Sequence, residues 1–299
     1  TMKLIDEIRM SFTKAEGLFK LMFLNIAVFL LIALVKLILF LSGTGTFPLL
    51  QVIDYLAFKS SIHGLLTQPW SILTYMFVHE NFLHIFFNML ILFWTGKIFC
   101  EFLTSKKLVV VYLLGGIIGA IIYMFSYNIF PAFNNSVEFS KLIGASAGVI
   151  AVLVAIATLV PDYTMHLFLF GPVRLKFIAL FLVMLYVISI PDGNAGGNIS
   201  HVGGALFGFI YSTFYKKGTD IGLWLEIVID RIMGIFQPSR KIKMVYKRST
   251  SGNRDPLSGA PRQEQIDSIL DKISRSGYSS LSKEEKEILF KASKNKGQN

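Results

Sequence analysis

Charge is scarce in this chain. Only 16% of its 299 residues are Asp, Glu, Lys or Arg, and 53% are hydrophobic. Soluble domains carry about 25% charged residues, so a soluble enzyme body is excluded. The mean hydropathy of +0.58 points the same way. Cysteine is almost absent. Cys100 stands alone, which rules out an internal disulfide framework and a Cys-x-x-Cys metal pair; an inert place at a helix end is expected for it. No internal repeat and no low-complexity tract is found. The net charge of +10 is concentrated late in the chain and speaks for the tail, not the core.

What is abundant is long apolar runs, several of them beyond the roughly 18 residues that suggest a membrane span. Residues 1–17 form a short amphipathic lead-in with Lys3, Arg9 and Lys14 among Asp6, Glu7 and Glu16. The first run, about Leu18–Leu41, is expected to be a span and not a removable signal peptide. Lys36 near its far end is placed to snorkel to the interface. Residues 42–73 hold apolar clusters between polar breaks, which suits short helices lying in the outer interface, with Trp70 at the headgroup level.

Five more spans follow: about Ile72–Phe99, Leu108–Tyr127, Gly144–Val160, a fifth that follows Arg174 and Lys176 and ends at Ile190, and Ile199–Tyr215. The Gly-rich stretch 191–198 reads as a flexible connector. Lys and Arg cluster before span one, between spans two and three (Lys97, Lys106, Lys107), before span five and after span six (Lys216, Lys217). By the positive-inside rule both termini are cytoplasmic. Residues 219–236 are apolar but broken by Glu226, Asp230 and Arg231. An interfacial helix followed by a basic membrane-binding segment is expected there. A linker at 249–263 then leads to a small helical pair. Its second helix opens on Ser282-Lys283-Glu284-Glu285, a capping box.

One pentapeptide organises the rest. Gly144-Ala145-Ser146-Ala147-Gly148 is a G-x-S-x-G motif, which can set a serine hydroxyl at an exposed turn. The pattern alone is weak, because small residues also let membrane helices approach closely. Orientation adds the test. Spans two, four and six all enter from the outer side. Ser146 then lies about two residues below the outer boundary, and His201 lies at nearly the same depth. His79 sits near the mouth of span two, with His84 and Asn88 deeper, one turn apart on one face. Each of these alone reads as a hydrogen bond between helices. Together at one depth they read as a site. Histidine is the usual base for a serine nucleophile. His84, Asn88 and the Ser146 backbone N–H would serve a developing oxyanion. Gly204 and Gly208 would leave one face of span six bare to press against Gly148. No acid lies at this depth, so the site reads as a dyad, not a triad.

These residues resemble the rhomboid family of intramembrane serine proteases. The resemblance rests on Gln68-Pro69-Trp70, on His79, His84 and Asn88 in FVHENFLHIFFN, on Tyr112-Leu113-Leu114-Gly115-Gly116, on GASAG and on His201-Val202-Gly203-Gly204-Ala205-Leu206-Phe207-Gly208. It covers about 68–208. It implies a six-helix core that cuts other membrane proteins near or within their transmembrane segments, with Ser146 as nucleophile, His201 as base, and His84 and Asn88 at the oxyanion. There are three departures. Ser71 stands where many members have arginine, Ala147 where glycine is usual, and Ile150 where some members place a tyrosine under the histidine ring.

The expected fold is all-α: a polytopic membrane protein with a six-transmembrane-helix rhomboid-like bundle and a small helical cytoplasmic tail. The expected divisions are 1–217 (protease core), 218–248 (interfacial helix and basic segment) and 249–299 (linker and tail). The expected partners are transmembrane protein substrates and the lipid bilayer, with no nucleic acid, no cofactor and no metal. The expected location is a bacterial inner membrane. The alternative function is a non-catalytic rhomboid-like factor that binds membrane proteins; such a factor lacks the serine or the histidine. A transporter would show two related halves with broken helices, and none are found.

Overall fold

A computed structural model describes residues 16–167, 171–236 and 263–295. The lead-in charges at positions 3–14, the basic segment 240–248 and nearly all of the linker 249–263 lie outside the described residues. The chain folds as two compact units, Thr1–Ser239 and Arg240–Asn299.

The first unit opens with α1 (Glu16–Leu41). Its buried positions are Leu18, Leu21 and Asn25, and Lys36 is exposed, as a snorkelling role requires. Two short helices follow, α2 (Phe47–Leu56) and α3 (Ile62–Thr67), then the single turn α4 (Ser71–Thr74). The longer helices are α5 (Phe82–Phe102), α6 (Ser105–Ile129), α7 (Ser146–Leu159), α8 (Leu175–Ile188) and α9 (Ala195–Lys216). α10 (Leu223–Phe236) closes the unit. Among the described residues, α1, α5 and α6 are long and apolar enough to cross a membrane, and α7 and α8 are shorter apolar helices.

α7 is the centre. Every residue from Ala147 to Ala157 is buried, which is what a helix apolar on all sides requires. α6 and α9 enclose it through glycine contacts. A Cβ on Gly115 would lie 2.1 Å from the Ala151 Cβ, and one on Gly208 would lie 2.3 Å from the Ala151 carbonyl oxygen. Backbone approach of this kind is how membrane helices gain packing energy without a hydrophobic drive. The outer helices turn large apolar side chains outward: Phe23 and Phe40 on α1, Phe82 on α5, Phe181 and Ile188 on α8 are all exposed.

Four sequence expectations change. The second span does not begin at Ile72. Residues 71–77 form α4 and a 3-10 turn, and α5 starts at Phe82, where the Asn81 side chain accepts the His84 N–H at 2.9 Å. That cap sets the start, so His79 lies ahead of the helix. The connector 191–198 is shorter than expected. α9 begins at Ala195 because the Asn194 side chain accepts the Gly197 N–H at 3.1 Å. Gly196, Gly197 and Asn198 are buried within the helix, so the connector is reduced to 191–194. The fold is also not purely helical. Phe58–Lys59 (β1) pairs with Lys141–Leu142 (β2), and Thr164–Leu167 (β3) pairs with Gly171–Arg174 (β4), both antiparallel. The fourth change concerns Gly148. A Cβ there would meet the Tyr112 carbonyl oxygen at 2.6 Å, so it faces α6 and not α9. The periodicity of span six gave the bare face of α9 but not which face of α7 receives it.

The acids that interrupt 219–236 find partners on α6. Lys107 pairs with Asp220 and, at 2.8 Å, with Glu226; Lys106 pairs with Asp230 at 2.6 Å. In the second unit, α11 (Gln263–Ser276) and α12 (Lys283–Asn295) form the expected helical pair. Its capping box is closed in both directions, with the Glu285 N–H donating to Ser282 Oγ at 3.2 Å and the Ser282 N–H donating to Glu285 Oε2 at 2.8 Å.

Candidate active site

Ser146 is the first residue of α7. Ahead of it Gly144 has φ +121°, a conformation that a Cβ would strain. The Gly144 N–H donates to the Tyr75 carbonyl at 2.9 Å, and the Tyr75 hydroxyl donates to the Gly116 carbonyl at 2.7 Å. The turn before the serine is therefore fixed to α6 through one buried tyrosine. The β1–β2 pairing holds the approach to it. The Ser60 hydroxyl donates to the Val137 carbonyl at 2.6 Å, and its N–H to the Ser140 carbonyl at 3.2 Å.

His201, on the second turn of α9, places Nε2 at 2.5 Å from Ser146 Oγ. Two glycines make this approach possible. A Cβ on Gly204 would lie 2.1 Å from the Ala147 carbonyl oxygen, and one on Gly119 would lie 2.6 Å from the Ser200 carbonyl oxygen. The His201 Nδ1 atom is buried and has no hydrogen-bond partner. Instead the ring of Tyr186, on α8, lies 4.2 Å from that of His201, tilted by 60°.

The His84 ring covers Gly144. A Cβ on Gly144 would sit 2.7 Å from His84 Nε2 and 3.7 Å from Ser146 Oγ. Asn88 is buried and donates its amide to the His84 carbonyl at 2.9 Å, so it is engaged with its own helix. His79 is buried and packs edge-on to His84, with ring centroids 5.2 Å apart. At the start of α7, Ala145 offers no side-chain cap. First-turn N–H groups of a helix have no partner within it, and here they stand beside Ser146 Oγ.

Of the sequence-predicted residues, Ser146, His201, His84, Gly144 and Gly204 come together directly. His79 and Asn88 stand behind His84. Gly208 and Gly148 serve packing one turn further in. Sequence reasoning missed Tyr75, Gly119 and Tyr186. Gly119 carried a signal as one of three glycines in span three; a single tyrosine in an apolar run carried none. On either side of Ser71, where many family members have arginine, Trp70 and Thr74 tie this stretch to α2. The Trp70 indole N–H donates to the Tyr55 carbonyl at 3.0 Å and its ring packs on Tyr55, while the Thr74 hydroxyl donates to the Leu56 carbonyl at 2.8 Å.

Apolar helices with outward-facing Leu and Phe, arranged around a buried central helix that starts on a histidine-paired serine, define a multi-pass membrane protein. Residues 66–218, just over half of the chain, match the rhomboid domain. The chain belongs to the rhomboid family. It is 28% identical over 173 residues to RHOMBOID-like protein 12, mitochondrial, of Arabidopsis thaliana, a match covering 54% of this chain and 49% of that protein. The chain thus spans about half the length of the curated relative it matches. Residues 259–295 match a family of unknown function (DUF6576).

Proposed function

We propose that this chain is an intramembrane serine endopeptidase that cleaves other membrane proteins within or beside their transmembrane segments. The observation that carries this is the 2.5 Å approach of His201 Nε2 to Ser146 Oγ at the start of the central helix. Ser146 is the nucleophile and His201 the base. Nε2 takes the hydroxyl proton as Oγ bonds to the scissile carbonyl carbon. The resulting oxyanion is met by the backbone N–H of Ser146 and by His84. Asn88 joins by turning its amide away from the His84 carbonyl. The protonated His201 then gives its proton to the leaving amine, and the amide C–N bond breaks. Water, deprotonated by the same Nε2, attacks the acyl-enzyme and restores Ser146. Both members of the pair are present, whereas a non-catalytic relative would lack one.

The depth of the site follows from helix length. A 14-residue helix is about 21 Å long, against about 30 Å of hydrocarbon. With the end of α7 near Asp162, Arg174 and Lys176 at the cytoplasmic surface, Ser146 falls roughly 10 Å inside the outer boundary. Six spans (α1, α5, α6, α7, α8 and α9) then cross, with both termini cytoplasmic. In this reading residues 1–217 are the protease core, 218–248 an anchored interfacial segment and 249–299 a linker and helical appendage. The test is cleavage of a transmembrane reporter in proteoliposomes. Wild type should cut, and Ser146→Ala and His201→Ala should each be inactive with normal insertion. Since the pair acts as a unit, the double variant should lose no more than either single one. Substantial cutting by Ser146→Ala would sink the assignment.

A further inference from the structure

We infer that Tyr186 is the positioning residue of His201, and that it makes the orientation of the base depend on the seating of α8; this rests on the proteolytic reading above. In a triad a carboxylate on Nδ1 fixes the ring of the histidine. Here Nδ1 of His201 is buried without a hydrogen-bond partner. The contact with Ser146 restrains one corner of the ring, and a histidine's terminal torsion is intrinsically broad. Something else must hold the plane. Ile150, one turn past the serine, is buried and aliphatic. The Tyr186 ring at 4.2 Å is closer than the usual aromatic separation of about 4.5–7 Å and leaves the imidazole little room to rotate.

The helix that carries Tyr186 is unevenly held. Its buried residues, Leu175 and Ala179, both lie in its first half, and the Leu175 N–H donates to the Tyr163 carbonyl at 2.8 Å. In its second half Met184, Leu185, Val187 and Ile188 are exposed. There, beside the Tyr186 ring, the Asn198 amide donates to the Ser189 carbonyl at 2.6 Å. Asn198 precedes His201 by one turn of α9. Both ties therefore fall within one turn of the base. When that end of α8 moves away, the ring contact goes with it and the base loses its orientation. The base is set only while α8 is seated as it is here.

The experiment compares wild type, Tyr186→Phe, Tyr186→Leu and Phe181→Ala on the reporter, with kcat and KM separated, alongside the rate of Ser146 labelling by a phosphonate probe. Tyr186→Met, which removes the ring but leaves a flexible apolar side chain able to fill an irregular gap, replaces Tyr186→Leu should that variant not purify folded. Tyr186→Phe should stay within about twofold of wild type. Loss of the ring should lower kcat and labelling together by tens of fold, the order expected when a reacting group is displaced by about an ångström, with KM unchanged. Phe181→Ala, on the exposed face of the same helix, should change neither. Wild-type kcat in the ring-less variant, or a change in KM alone, overturns the inference. So does an equal loss in Tyr186→Phe, since the hydroxyl would then be the working group. A wild-type protein that neither labels nor cuts overturns the proteolytic reading first, and the inference with it.

Discussion

Gly204 and Ala147 approach so closely that a Cβ on the first would lie 2.1 Å from the carbonyl oxygen of the second. Ala147 follows the nucleophile and Gly204 lies one turn beyond the base. This backbone contact therefore sets the distance between Ser146 and His201. Gly204→Ala must push α9 off α7, because the obstacle is backbone and cannot rotate aside. Overpacking of this kind costs about 1–3 kcal/mol. The expected result is a lowered thermal midpoint and a reporter cleavage rate near background. Wild-type cleavage by Gly204→Ala would mean that the helices have slack the glycine does not report.

The two residues proposed for the oxyanion are placed differently. His84 lies over Gly144, two residues ahead of Ser146. Asn88 is bonded to its own helix at 2.9 Å and must rotate to act. His84→Ala is expected to lower kcat by about a hundredfold, the scale for one lost donor. Asn88→Ala should fall by a similar factor without loss of α5, since an alanine favours the helix. If both retain full turnover in steady-state assays, they are packing residues only.

Helix α2 is joined to the approach to Ser146 by charge. Asp54 faces Lys59 and Lys141, each at 3.3 Å. Burial alone would raise the Asp54 carboxyl, but hydrogen bonds to the two ammonium groups and their charge outweigh it and hold the carboxyl below its usual range. A carboxylate depressed in the folded state stabilises above its unfolded pKa, and that contribution is lost as pH falls through the folded value. The pair is partly exposed, so Asp54→Asn should cost less than about 1 kcal/mol at neutral pH. The difference between variant and wild type should be full at neutral pH and begin to shrink at about pH 4, the unfolded carboxyl's range, and go on shrinking as pH falls through the lower folded value. Thermal melts across pH 3–7 check this; a difference that grows as pH falls contradicts it.

In the proposed reaction a membrane substrate reaches Ser146 sideways, beside α8, which buries only Leu175 and Ala179. Cysteines in the first turn of α5 and the last turn of α8, joined by a short bismaleimide in a Cys100→Ser background, should slow cleavage of a membrane reporter. Labelling by a small phosphonate should be spared. Equal rates before and after crosslinking would place the entry elsewhere.

The apolar character of the long helices and the meeting of Ser146 with His201 could be read because both depend on composition and on helix rise, which are local properties. The start of α5 was misplaced by ten residues because hydropathy is blind to a cap. Phe77 and Val78 are as apolar as the helix, and only Asn81 marks the true entry. For the same reason Asn194 drew four residues of a Gly-rich connector into α9. The β3–β4 hairpin and the partner of Gly148 depend on tertiary pairing, which no local pattern carries. Tyr186 is the plainest case. Its role comes from a ring contact across two helices, made where Ile150 leaves the histidine without a tyrosine from α7.

The central claim is that Ser146 is a nucleophile made reactive by His201. Mass spectrometry of the detergent-purified protein after reaction with a fluorophosphonate tests it directly. A single adduct on Ser146 is predicted in wild type, absent in Ser146→Ala, and formed at least a hundredfold more slowly in His201→Ala, the scale of a lost general base. Adduct formation at another residue, or equal labelling of Ser146 with and without His201, would contradict the account.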